Sequence, residues 1–438
     1  MLWCLALTLI AQAGVLPFEV SSKTLDNGLT VHVIPMDSPD VVAYYTWMKV
    51  GSRDEVDSGR TGFAHFFEHL MFKGTETLGP EERERAILRL GMEENAWTAE
   101  DETCYNGVLP AAGLERYIEI QADQFQNLRL TEDMVQRESG AVYGEFRKGQ
   151  ASPFQSLMTQ MSATAFTAHT YGHTTIGYEA DIADMPTAHE YALQFFDRYY
   201  RPEFATILVV GDADPDKTFA MIESKYADWR PAAGPPPEIP VEPEQTETRR
   251  VHVPWKSPTA AQLVMAWKIP AHSNDDPEIA HLELVANLLF ATVGRLQSRL
   301  IREEAVAYDT FGWRSDSVDP SLFQVWVTLK DPESLQAAEA IVREEIANIK
   351  GGVDPEVLEN TRSNARYGFL TSLHDPGAVA RAMGQVLRRD PSIDGLDRYY
   401  AHYDASTPEQ VAAAAAKYLV DERLTVGTLV YTPEPEAQ

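Results

Sequence analysis

Residues Pro231-Ala232-Ala233-Gly234-Pro235-Pro236-Pro237-Glu238-Ile239-Pro240-Val241-Glu242-Pro243-Glu244-Gln245-Thr246-Glu247 decide how this chain is organised. Repeated prolines remove backbone donors, acids keep the stretch in water, and no apolar residue recurs at the period of a helix or a strand. It reads as a linker over 231–248. It divides a chain of 438 residues, too long for one ordinary core, into two parts of similar length. That symmetry prompts a search for duplication. Val31-His32-Val33, Ser38-Pro39 and Trp47-Met48-Lys49-Val50 are echoed by Val251-His252-Val253, Ser257-Pro258 and Trp267-Lys268-Ile269, and Ala64-His65 by Ala280-His281.

Each half begins β-rich, over Leu29 to Ile34 and Val41 to Val50 in the first and Leu263 to Ile269 in the second. Helical patterns such as Glu278 to Phe290 follow. Later strands are expected at Ala205 to Val210 and Leu322 to Leu329, with capped helices after Thr131 and after Asp354-Pro355. The fold class is α+β in two tandem homologous domains, 18–230 and 249–433.

Apolar residues at 44% and aromatics at 10% mark a globular protein despite a formal charge of −29. The acid belongs on the surface, where it serves solubility and weighs against nucleic acid as a partner. Met1-Leu2-Trp3-Cys4-Leu5-Ala6-Leu7-Thr8-Leu9-Ile10 followed by Ala11-Gln12-Ala13 reads as a signal peptide over 1–13, although no Lys or Arg precedes the apolar run. The run is shorter than the roughly 18 residues a membrane span needs, so no integral membrane segment is expected in the mature chain. Export to a bacterial periplasm or medium follows. Removal of the leader takes Cys4 with it and leaves Cys104 as the single thiol, expected in a core.

His65-Phe66-Phe67-Glu68-His69 carries the chemistry. On a helix the three polar residues share one face, where two imidazoles can hold zinc and the carboxylate between them can take a proton from a zinc-activated water. The order is that of the inverted zincins. A third ligand is needed, and Glu145 is the candidate. Glu138 precedes it by two helical turns on the same face, where it could orient a ligand or assist proton transfer. Gly140 and Gly144 weaken that helix and suggest close packing against another element. His169 and His173 read as a structural or substrate-contacting loop rather than a second metal site.

These motifs, with Asn95-Ala96-Trp97-Thr98, Asp101, Thr103, Tyr105, Tyr171-Gly172, Ile176-Gly177, Tyr200-Arg201-Pro202 and Val210-Gly211-Asp212, make the chain resemble the M16 metallopeptidases, the pitrilysin and mitochondrial processing peptidase group. The resemblance covers nearly the whole mature chain. It implies domains built as a mainly antiparallel sheet with packed helices, of the kind shared with LuxS-like metallohydrolases. It implies one Zn2+ per chain held by His65, His69 and Glu145, with Glu68 as general base and Glu138 in support. Asn95 and Ala96 would bind the substrate backbone by strand addition; by residue type alone Asn95 reads as a turn residue. The activity implied is hydrolysis of extended peptides or unfolded polypeptides inside a chamber of two subunits. The alternative is an inactive scaffold subunit of such a complex.

In the second half His281, Leu284 and Val285 replace His65, Glu68 and His69, so this copy cannot hold zinc. The resemblance also implies an Arg and Tyr pair supplied to the zinc site by an opposing subunit. Tyr308 fits the Tyr, but Ile301 occupies the Arg position and Arg302 comes one residue late. The expected partner is a second M16 subunit bearing the pair, or a second copy of this chain in which Arg302 serves after a local shift.

Overall fold

The computed structural model describes residues 14–290, 294–387, 392 and 394–433. The expected leader and Cys4 lie outside the described residues. Six strands form the first sheet: β1 (Ser21–Thr24), β2 (Thr30–Pro35), β3 (Val41–Met48), β4 (Glu93–Thr98), β5 (Thr103–Pro110) and β6 (Ala205–Gly211). Their spatial order is β1-β2-β6-β3-β5-β4. The second sheet contains β7 (Arg249–Trp255), β8 (Gln262–Ile269), β9 (Ala307–Arg314), β10 (Ser321–Leu329) and β11 (Leu424–Tyr431), ordered β7-β11-β8-β10-β9. Without the extra edge strand β1, the two orders correspond strand for strand. The parallel pair falls at the same place in each, β2 with β6 and β7 with β11, and the remaining pairs are antiparallel. The duplication is thus one of topology; the motifs that suggested it lie on equivalent strands but face opposite sides, Val31 and Val33 toward the core of their own half and Val251 and Val253 toward a helix from the other. β3 stops at Met48 rather than running to Val50, because its partners β5 and β6 both begin opposite Met48, at Thr103 and Ala205.

Burial explains the strand sequences. β3 and β6 read as nearly unbroken apolar runs because both faces of the sheet are covered. One face, with Val31, Val33, Val42, Tyr44, Ile207 and Val209, packs on the main helical core of the first half. The helices there include α1 (Phe63–Leu70), α2 (Pro80–Arg89), α3 (Leu114–Asn127) and α4 (Glu132–Gly149). Cys104, on β5, is fully buried on the other face, and burial pushes its thiol well up.

What covers that other face comes from the opposite half. The helix Pro376–Leu387 lays Val379, Ala380, Met383 and Leu387 against Ile34, Ala43, Tyr45, Trp47, Leu208 and Val210. In return α5 (Pro153–Ala165) lays Leu157, Met161 and Ala165 against Val264, Ala266, Trp326 and Leu429 of the second sheet. The halves exchange one helix each. At both crossings a glycine lets the partner approach: a Cβ on Gly384 would lie 2.1 Å from the Trp47 indole, and one on Gly427 2.3 Å from Met161 Sδ. Gly384→Ala should gain at most about 1 kcal/mol of helix propensity and lose about 1–3 kcal/mol to overpacking. The net expectation is destabilisation, read as a lower urea midpoint; an unchanged or raised midpoint would show that the helix does not seat on Trp47.

No helix or strand occurs between Tyr226 and Arg249. This segment is nonetheless tied down, since the Glu242 carboxylate accepts backbone N–H bonds from Thr167, Ala168 and His169. The apolar helix Pro277–Phe290 is a core helix, with Ile279, Leu282, Leu284, Val285 and Leu289 buried.

Candidate metal centre

α1 owes its position to residues outside it. Its N-cap, Gly62, is left-handed (φ 88°) and has no capping side chain. Glu55 takes the cap's place: one carboxylate oxygen accepts the Gly62 N–H and the other the Ala64 N–H, both at 2.7 Å. These bonds satisfy amides that the helix cannot satisfy itself, and they set a carboxylate at the positive end of the helix dipole. Complete burial raises the Glu55 pKa while the two N–H groups oppose the rise. A Cβ at Gly62 would meet Ile176 O at 2.7 Å, so Ile176-Gly177 is where the loop closes over the start of α1.

From that anchor Phe63, Ala64, Phe66, Phe67 and Leu70 enter the core, and His65, Glu68 and His69 are left on the remaining face. α4 begins at Thr131, whose hydroxyl accepts the Met134 N–H, and buries Val135, Ser139, Val142 and Phe146. That places Glu138 and Glu145 beside α1. Gly140 and Gly144 do not mark close packing, contrary to the expectation above: a Cβ on either would meet nothing within 4 Å. They lie on the open face of α4, away from the buried stripe.

His65 Nε2 lies 3.4 Å from Glu145 Oε2, and His69 Nε2 lies 3.6 Å from Glu145 Oε1. Two ligands on one tetrahedral zinc, with bonds near 2.0–2.1 Å, stand about 3.4 Å apart. Each imidazole thus stands at about that distance from one oxygen of Glu145, and one donor atom from each of the three side chains falls within 4.8 Å of the others. Among the described residues no other group of three or more His, Cys, Asp or Glu side chains converges in this way. Burial, with His69 beside it, lowers the His65 pKa to about 4, which keeps the imidazole neutral and able to ligate at pH 7. Glu145 is half exposed, so the set opens toward solvent on one side.

Around this set, Thr98 at the end of β4 donates its hydroxyl to Glu68 Oε2 at 2.6 Å. Burial raises the Glu68 pKa, an effect the Thr98 bond opposes. Glu138 lies 3.8 Å from His69 Nδ1 and pairs with Lys73 Nζ at 2.9 Å. Sequence reasoning assigned nothing to Thr98, Glu55 or Lys73. Lys73 had a signal, since it follows His69 by four residues and so continues the polar face.

β4 is the edge of its sheet and carries Asn95 and Ala96 in a strand, not a turn. The Asn95 carbonyl side chain accepts the Ala96 N–H at 2.9 Å. Tyr308 is elsewhere: it lies on β9, the edge of the second sheet, 64% exposed. His281 is buried in the Pro277–Phe290 helix with Leu284 and Val285 in the second core. His169 and His173 are held in structural bonds, His169 to Asp319 and to the Tyr171 N–H, and His173 to Thr174 O.

Residues 33–179, which include the whole cluster, match the family described as Insulinase (Peptidase family M16), and residues 188–365 match Peptidase M16 inactive domain. This chain belongs to peptidase family M16. A Helicobacter pylori protein named zinc protease PqqE is 29% identical over 92% of this chain and 91% of its own length. The crystal structure of a protease from Helicobacter pylori superimposes with a TM-score of 0.86 and 28% identity, over 94% of this chain and all of the other. Escherichia coli PqqL, whose crystal structure is described as that of a periplasmic protease, matches 95% of this M16 chain with 48% of its own length, at a TM-score of 0.78 and 20% identity, a likeness of fold. The M16 relatives are named zinc proteases, and the model described as inactive spans the ligand-free His281, Leu284 and Val285.

Proposed function

We propose that this chain is a zinc-dependent endopeptidase that hydrolyses extended peptides or unfolded polypeptides. The observation that carries the reading is the convergence of His65, His69 and Glu145, with donor atoms within 4.8 Å of one another, beside a Glu68 held by Thr98. One zinc ion bound by those three residues supplies Lewis acidity and a water of lowered pKa. Glu68 takes the proton of the attacking water and delivers one to the leaving amine; a carboxylate with a raised pKa suits both transfers. Glu138, between His69 and Lys73, holds the His69 ring. The substrate lies extended along β4 at Asn95 and Ala96, after the Asn95 side chain releases the Ala96 N–H.

The chamber is closed by a second M16 unit facing the metal with an Arg and a Tyr. A second copy of this chain could supply them. Ser298–Glu303 forms a π-helical turn, which takes up one residue more than an α-turn. Ile301 packs against the second core while Arg302 is exposed before Tyr308. In a homodimer this turn would offer Arg302 in place of Ile301, and the native mass of the active protein decides between that and a hetero-partner. The N-terminal leader directs the chain out of the cytoplasm, in keeping with the periplasmic relative.

The test is to purify the full mature chain and measure its mass, zinc content and cleavage of a peptide library, with and without a chelator. The expected result is about one zinc per chain, with hydrolysis lost on chelation and restored by zinc. A pure dimer that cleaves favours the homodimer. Zinc-loaded chain that cleaves nothing, alone or with proteins copurified from its own cells, would make it the scaffold subunit instead.

A further inference from the structure

The second half carries no metal ligands, yet the tip of its β9–β10 hairpin reaches the end of β4. The β4–β5 turn is held first from its own half. Ser52 N donates to Ala99 O and Arg53 N to Glu100 O, with Gly51 so close that a Cβ would lie 2.2 Å from Glu100 O. Asp101 is then gripped from two sides, by the Tyr171 hydroxyl at 2.5 Å and by Val318 N–H of the hairpin at 3.0 Å. The next hairpin residue, Asp319, accepts from Arg53 Nε at 2.5 Å and from His169 Nε2 at 3.0 Å, and its own N–H donates to the Tyr171 hydroxyl at 3.3 Å. The His169 tautomer follows from its bonds: Nδ1 accepts the Tyr171 N–H, so Nε2 carries the hydrogen. Thr170 Oγ1 donates to Arg53 O and closes the ring of bonds.

Arg53 lies among three carboxylates, Asp319 at 2.5 Å, Asp54 at 3.6 Å and Asp101 at 3.9 Å. Burial pushes Asp54 up to about 7, and its carboxylate accepts the Gly51 N–H at 3.0 Å. Without the Asp319 carboxylate the hairpin would lose its side-chain bonds to Arg53 and His169 and would be joined to the turn through the Val318 and Asp319 N–H groups alone.

We propose that Asp319 is a positioning residue, through which the metal-free half sets the edge strand β4 for pairing with an extended peptide. The idea rests on the reading of β4 as the substrate strand. It accounts for Asp101 and Tyr171, which the metal chemistry leaves unused.

The experiment compares zinc-loaded full chain with Asp319→Ala, Asp319→Asn and, as a control, Arg250→Ala. Arg250 pairs with Glu339 within the second half and does not touch the β4–β5 turn. For Asp319→Ala, KM for an extended peptide should rise about tenfold with kcat within about threefold and zinc content unchanged. Amide exchange over 93–103 should quicken while that of α1 stays put. Asp319→Asn should recover part of the loss, because its carbonyl oxygen still accepts from Arg53. Unchanged KM and exchange in Asp319→Ala, or an equal KM rise in Arg250→Ala, would overturn the proposal. If the wild-type chain cleaves no peptide, the peptidase reading fails by itself, and the exchange of 93–103 still decides the role of Asp319.

Discussion

Glu68→Gln should keep its zinc and lose about a thousandfold in peptide turnover. The two properties separate because Glu68 is not in the ligand set: the metal would be held by His65, His69 and Glu145. Glutamine has the same shape, and its carbonyl oxygen can still accept the Thr98 hydroxyl that now reaches Glu68 Oε2 at 2.6 Å. What the amide cannot do is take a proton from water. General acid–base groups contribute about 10²–10⁴-fold, and about a thousandfold is the middle of that range. Metal analysis beside kcat on one peptide is sufficient. Turnover within about tenfold of wild type would assign the base to another group, and zinc lost along with activity would make Glu68 a ligand.

Glu145→Ala should do the reverse and lose metal and activity together. Two imidazoles remain, but a catalytic zinc takes three protein ligands. Even residues that only support a ligand cost about 10–100-fold in affinity when replaced, so a ligand itself should cost about 100-fold or more. The apo protein should barely notice, because the Glu145 side chain is half exposed while α4 is held by Val135, Ser139, Val142 and Phe146. The measurement is zinc affinity by competition with a chelating dye, with a thermal melt of the metal-free forms. Wild-type affinity in the variant would exclude Glu145 as a ligand; a collapsed apo melt would give it a structural role.

What could be read from sequence follows from how far apart the cooperating residues lie. His65, Glu68 and His69 share a helical face at spacings of three and four, and local geometry suffices to converge them. The duplication was legible because short motifs recur on equivalent strands, but not residue by residue: Trp47 faces the helix lent by the opposite half and Trp267 its own core. The bond from Thr98 to Glu68 was not, since it depends on where a strand 30 residues away ends. Glu55 was equally hidden: a carboxylate seven residues before a helix cap says nothing until the chain folds back. Asn95 resembles a turn residue because Glu93-Glu94-Asn95-Ala96 lacks β-branched side chains, and only pairing with β5 makes it a strand. Gly140 and Gly144 misled because the cost of glycine in a helix is the same whether the bare face meets a neighbour or water.

The exchanged helices carry a consequence for history. A chain of half this length, folded as either half is here, would leave the back of its sheet bare, with Tyr45, Trp47 and Leu208 in water in the first case and Val264, Ala266 and Trp326 in the second. Its stable form would be a pair of identical chains trading a helix, the arrangement of a domain-swapped dimer. Joining two such chains through the segment around Pro235-Pro236-Pro237 would turn the trade between molecules into a contact within one, and a single set of metal ligands would then suffice. The other copy could replace two of its three motif residues with Leu284 and Val285, bury all three positions, and be retained for the helix it lends and the hairpin it extends to β4.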